Sequence, residues 1–175
     1  MSLRIKAMIL GLLLTTAAWS QQAEEYRVKA AFLFNFAKFV EWPPQAFTNS
    51  TDPIRICVLG KDPFGSVLED AVRDKTAEGR TFLVRQVSGG QPAAGCQILF
   101  ISSSERKRLA AILGEIKGDG VLTVGETDTF ASDGGMINFK IESGRVCLQI
   151  NVAAAEQSRL HISSKLLSLA QIVKR

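Results

Sequence analysis

The chain is poor in residues that ligate metals: it has one histidine, His161, and three cysteines, Cys57, Cys96 and Cys147. No two cysteines form a Cys-x-x-Cys pair, so no zinc site is expected. There is no Gly-x-Ser-x-Gly elbow. Ser102, Ser103 and Ser104, with Asp133 and His161, supply the residue types of a hydrolase triad, but the serines already suit a helix cap. Gly60-Lys-Asp-Pro-Phe-Gly65 resembles a phosphate loop loosely. It lacks the Gly-Lys-Ser/Thr ending, and Pro63 removes a backbone donor. A tight strand-to-helix turn is its expected role. Glu41, Glu105 and Glu126 form no evident acid–base pair. No basic cluster or aromatic platform points to nucleic acid. An enzyme is therefore not expected, nor a cofactor or metal.

What is present suits a single folded domain: 175 residues, 46% of them hydrophobic. Residues 1–20 read as a signal peptide, with Arg4 and Lys6 before an apolar run from Met8 to Ala18 that is too short to span a bilayer. Ala18-Trp19-Ser20 places small residues around a cut before Gln21. A retained N-terminal anchor is the alternative. Losing Arg4 and Lys6 would remove two positive charges from a net +4, so the basic balance says little about partners. Export permits disulfides, and three cysteines allow three pairings with one left over.

Residues 21–175 are expected to form one α/β domain organised around the helix that starts at Tyr26. Helical spacing puts Val28, Phe32, Phe36, Phe39 and Val40 on one face with Leu33 beside them, a stripe broad enough to lie on a sheet. Glu24 and Glu25 mark its start and Pro43 its stop. Phe34 is expected on the opposite side, among Arg27, Ala31, Lys38 and Glu41. It is either a loosely covered surface residue or, with Lys38, an anchor for a second chain.

Further along, Ile54 to Gly60 reads as a buried strand, followed by a helix capped at Asp62-Pro63 and running to about Asp74. Thr81 to Val87 is a second strand, Gly89-Gly90-Gln-Pro92 a turn, and Cys96 to Ser102 a central third strand. The connection between those strands is short for a parallel crossover, so they are antiparallel or non-adjacent. Ser102 to Glu105 offers a capping box for a helix carrying Leu109, Ile112, Leu113 and Ile116. Val121 to Gly125 is a fourth strand, and a hairpin turns at Glu142-Ser-Gly144. Helix is expected from Ala153, broken near His161, and again over Ser163 to Val173. The architecture implied is a three-layer α/β sandwich: a largely parallel sheet, an antiparallel C-terminal hairpin, and helices on both faces.

Arg159 and His161 stand two apart where the last helical pattern breaks. They can hold an anion, cap a helix or face solvent. Placed near Glu41 and Trp42, they would frame a small-molecule pocket, with Trp42 as a stacking surface and the cations holding a carboxylate or phosphate. The other reading is a hydrogen-bonded junction. Asn151 reads as a turn residue before a ligand contact.

Several segments in order carry a family resemblance: Asn35 to Pro43, Cys57 to Gly65, Cys96 to Ser102, Gly134-Gly-Met-Ile-Asn-Phe139, Ile150-Asn151 and Ser163 to Ala170. Together they resemble the YfiR family of exported proteins over residues 26–173. The resemblance implies a periplasmic regulator, often a homodimer, that restrains an inner-membrane diguanylate cyclase by holding its periplasmic domain. It implies a disulfide between Cys57 and Cys96. The family's second, less uniform pair cannot form, since only Cys147 is available. A small-molecule effector is also implied. The alternative function is a ligand-binding sensor domain acting on another membrane signalling protein.

Overall fold

The computed structural model describes residues 2–89, 94–116, 118 and 120–173, with side chains described from residue 21 onward. Residues Gly90, Gln91 and Pro92 of the expected turn lie outside them.

Helix α1 (Ser2–Phe39) opens the chain and passes directly into the short strand β1 (Val40–Glu41). Strands β2 (Ile54–Leu59), β3 (Phe82–Val87), β4 (Ile98–Ile101), β5 (Leu122–Gly125), β6 (Ile137–Glu142), β7 (Arg145–Ile150) and β9 (Ala170–Ile172) form one sheet. Its order is β3-β2-β4-β5-β6-β7-β9. All neighbours are parallel except the β6–β7 hairpin. Helices α2 (Ser66–Val72), α3 (Leu109–Glu115), α4 (Val152–Gln157) and α5 (Ser164–Leu167) are short, and β8 (His161–Ile162) pairs with β1 outside the main sheet.

Alternation along the strands separates two cores, as the period of two requires. Ile54, Ile56, Val58, Ile98 and Phe100 face α1 and α2, while Cys57, Leu59, Leu99 and Ile101 face α3. This is the expected three-layer α/β sandwich with a largely parallel sheet. The short connection between the second and third strands is also resolved. Both β3 and β4 pair with β2, one on each side, so they are not neighbours. The hairpin turns through Ser143 and Gly144 with φ of 50° and 75°, the left-handed pair a two-residue turn needs.

Four expectations are corrected. The buried face of α1 is Lys29, Ala30, Leu33, Phe36 and Ala37, rotated from the stripe expected; Val28 is exposed, and Phe32 and Phe39 are half-buried. Sequence hydrophobicity centred the stripe on the phenylalanines, whereas the small alanines allow close approach to the sheet. The helix begins well before Glu24 and ends at Phe39 instead of Pro43, because Val40 and Glu41 are drawn into pairing with Ile162 and His161. Asp62 caps a local turn by accepting from the Phe64 amide (2.8 Å), and α2 starts only at Ser66. The expected final helix over Ser163 to Val173 stops at Leu167, and Ala170–Ile172 joins β7 as an edge strand. Its helical apolar spacing was real, but the sheet edge supplied competing partners. Among the described residues, no helix is long and apolar enough to cross a membrane.

Candidate functional site

The C-terminal end of α1 is where the candidate residues gather. Glu41 stands directly opposite His161 in the β1–β8 ribbon. Trp42 follows, half-buried, with its indole Nε1 donating to the Gln97 carbonyl at 3.1 Å. Gln97 is itself buried, and its side chain donates to the Ala46 carbonyl (2.7 Å) and accepts from the Arg55 amide (2.8 Å). One glutamine thus fixes the 42–46 turn against the sheet. Sequence reasoning passed over it, although a lone amide inside the apolar run Cys96–Ser102 was a signal.

Glu41 and Trp42 line an open cleft of about 720 Å³, together with Phe47, Ile54, Glu78 and Arg80. Its lining does not include Arg159 or His161. Both are exposed, and Arg159 has a left-handed φ of 59°. The arrangement therefore brings Glu41 to His161 and Trp42 to the cleft, with Arg159 contributing to neither contact. Arg80, absent from the sequence reading, stacks 3.8 Å over the Phe47 ring and donates to the carbonyls of Asn49 (3.0 Å) and Asp52 (2.8 Å).

Phe34 occupies a different place from the one expected. Its half-buried ring lies 5.4 Å from Phe82 of β3, between the Lys38 and Lys75 ammonium groups at 4.4 and 4.6 Å. Neither lysine has a carboxylate partner among the described residues. The ring is partly core, and the rotation of the α1 stripe is the reason.

A second polar cluster ties α1 to the end of β5. Lys29 is buried between Glu126, at 2.8 Å, and Glu25. The Tyr26 hydroxyl donates to the same Glu126 (3.1 Å), which also accepts from the Ser103 amide (3.4 Å). Burial, followed by the Glu126 charge and its hydrogen bond, drives the Tyr26 hydroxyl well above the ordinary tyrosine range. Lys29 sits four residues after Glu25 and four before Leu33, on the apolar face; that position marks it as paired.

The remaining sequence candidates have structural work. Ser102 accepts from the Ser104 amide (3.4 Å), and Ser104 accepts from the Lys61 amide (2.9 Å). Asp133 accepts from Thr129 (2.7 Å). A side chain at Gly60 would meet Ser104 and Glu105, so the loop is tightly packed at its Gly60 end. Asn151 caps α4 by accepting from the Ala154 amide (3.0 Å) and donates to the Ala131 carbonyl (2.9 Å). Cys57 and Cys96 are joined by a disulfide with Cα atoms 6.0 Å apart, and Cys147 is a free, half-buried thiol on β7.

A family profile described as YfiR/HmsC-like matches residues 26–171, from the second half of α1 to β9. The chain belongs to the YfiR/HmsC-like family. No curated protein matches it. In this YfiR/HmsC-like chain the matched segment takes in both cores, the disulfide, the Lys29 cluster and the Trp42 cleft.

Proposed function

We propose that this protein is a periplasmic regulator that binds and restrains the periplasmic domain of an inner-membrane diguanylate cyclase, lowering cyclic di-GMP synthesis. The observation that carries the reading is the family match across the whole sheet and its covering helices. Export through a signal peptide cleaved near Ser20 fits the basic start and apolar run of residues 1–20, and fits a disulfide, which oxidising compartments sustain. The proposed partner face is the Phe34 ring with Lys38. There an aromatic group and unpaired ammonium charges lie beside β3, an edge strand with Leu83 exposed. Aromatic groups ringed by polar ones commonly anchor interfaces. A homodimer is the proposed resting state.

The test uses the tagged protein as bait on detergent-solubilised inner membranes. A captured protein with a cyclase domain is expected, and adding the bait to those membranes should lower cyclic di-GMP formation. Lys38→Glu should weaken capture without lowering the melting temperature. Capture lacking any cyclase, or unchanged cyclic di-GMP formation, overturns the proposal. Light scattering of the same preparation reads the dimer directly.

A further inference from the structure

The cleft beside Trp42 has an uneven distribution of charge. Four ionisable side chains line it: Lys38, Glu41, Glu78 and Arg80. Both cations rest on neutral groups of the protein. The Lys38 ammonium rests on the Phe34 ring, and the Arg80 guanidinium is held by two carbonyls and the Phe47 ring. Both carboxylates are unengaged: neither Glu41 nor Glu78 has a hydrogen bond or ion pair among the described residues. The cleft also lies at the C-terminal end of α1, where the helix dipole is negative. Its apolar wall is Trp42, whose indole N–H is spent on Gln97, leaving the ring available as a π surface.

We propose that this cleft binds a small organic cation, an ammonium or guanidinium group on an apolar body. The cation would lie between Glu41 and Glu78, and its apolar portion against Trp42. The volume of about 720 Å³ is that of a small-molecule site. The turn carrying Glu78 fixes where that carboxylate stands. Ala77 and Arg80 exchange backbone hydrogen bonds at 3.0 and 2.9 Å, and Glu78 and Gly79 between them have φ of 50° and 75°. Such a turn prefers asparagine at its first central position, so glutamate there is held at a cost to the backbone. This site adjoins the Phe34 face at Lys38, which lines the cleft, and its ligand preference does not depend on which membrane protein is the partner. It also differs from the anion pocket expected around Arg159 and His161, since the open charges are negative.

Calorimetric titration of the purified chain with three probes of one shape decides the matter: phenethylammonium, 2-phenylethanol and 3-phenylpropionate. The ammonium probe should bind saturably and at least ~tenfold more tightly than the neutral and anionic probes. The Glu41→Gln/Glu78→Gln variant should lose that preference at an unchanged melting temperature. Glu78→Asn should melt higher than the wild type, because asparagine relieves the turn, and yet bind the ammonium probe more weakly. No saturation with phenethylammonium in the millimolar range overturns the proposal. So does equal binding of the three probes, or undiminished binding by the double variant.

Discussion

At the scale of single residues, the buried Lys29–Glu126 pair is the most sensitive point. Lys29→Met leaves Glu126 buried without its cation and should cost about 3–5 kcal/mol in denaturant titrations. Adding Glu126→Gln to that variant should recover part of the loss, since the stranded charge is then gone. Tyr26 gives the cluster a signature in alkali. Its folded pKa is raised, so above pH 10 the unfolded chain releases a proton that the folded chain keeps. Its contribution is complete below that pH and fades as pH rises, by at most about 1.4 kcal/mol per pH unit. Urea titrations between pH 9 and about 11 should show wild type losing more stability than Tyr26→Phe. Phe130 is equally exacting: a Cβ on Gly125 or on Gly135 would fall within its ring. Gly125→Ala should therefore cost about 1–3 kcal/mol, and less when Phe130 is already alanine. The candidate site was only partly legible at this scale. Glu41 and Trp42 follow one another in sequence and were read together, and His161 stands opposite Glu41 in the β1–β8 ribbon. Glu78 and Arg80 lie more than thirty residues on and reach the cleft only because β3 pairs with β2. No local pattern could announce them.

Among the elements, helix α1 shows why periodicity located the structure but not its orientation. Apolar residues surround most of the helix, so any of several faces satisfied the spacing. The choice was made by what the sheet accommodates: alanines close to the strands and a lysine that finds two carboxylates. Leu33→Ala should cost about 2–5 kcal/mol in thermal or denaturant unfolding, and Val28→Ala no more than about 0.5 kcal/mol. The reverse ranking would mean that the helix is seated on its other face. Strands β2 and β4 were legible because both of their faces are largely buried and their sequences are apolar apart from Arg55. The C-terminal segment was not. Ser163 to Val173 has helical spacing, and only the open flank of β7 turns its last part into strand β9. Edge pairing is a tertiary event, and nothing within the segment encodes it.

For the whole molecule, the disulfide from Cys57 to Cys96 closes a loop containing β3, with a sequence separation of 39. The chain-entropy account puts its contribution at about 4 kcal/mol, so the Cys57→Ala/Cys96→Ala variant should unfold at correspondingly lower denaturant. The α/β class and the strands from β2 to β7 could be read in advance because they follow from alternation and turn residues, whereas β1, β8 and β9 could not. The strand order required knowing which neighbour each edge accepts. The way α1 is seated has a consequence for how the chain comes into being. Its covering contacts arrive late: Tyr26 and Glu126 are 100 residues apart, and Val40 pairs with Ile162 later still. At translation rates of about 5–20 residues per second, the helix waits roughly 5–20 s for Glu126, long after β2 and α2 have been made. Through that interval the sheet beneath Leu33 and Phe36 is incomplete, and Phe139, on which Phe36 stacks, is not yet made. A nascent chain of this kind is a client for a holding chaperone, and its vulnerability lies in the delay between making its first helix and its last strands.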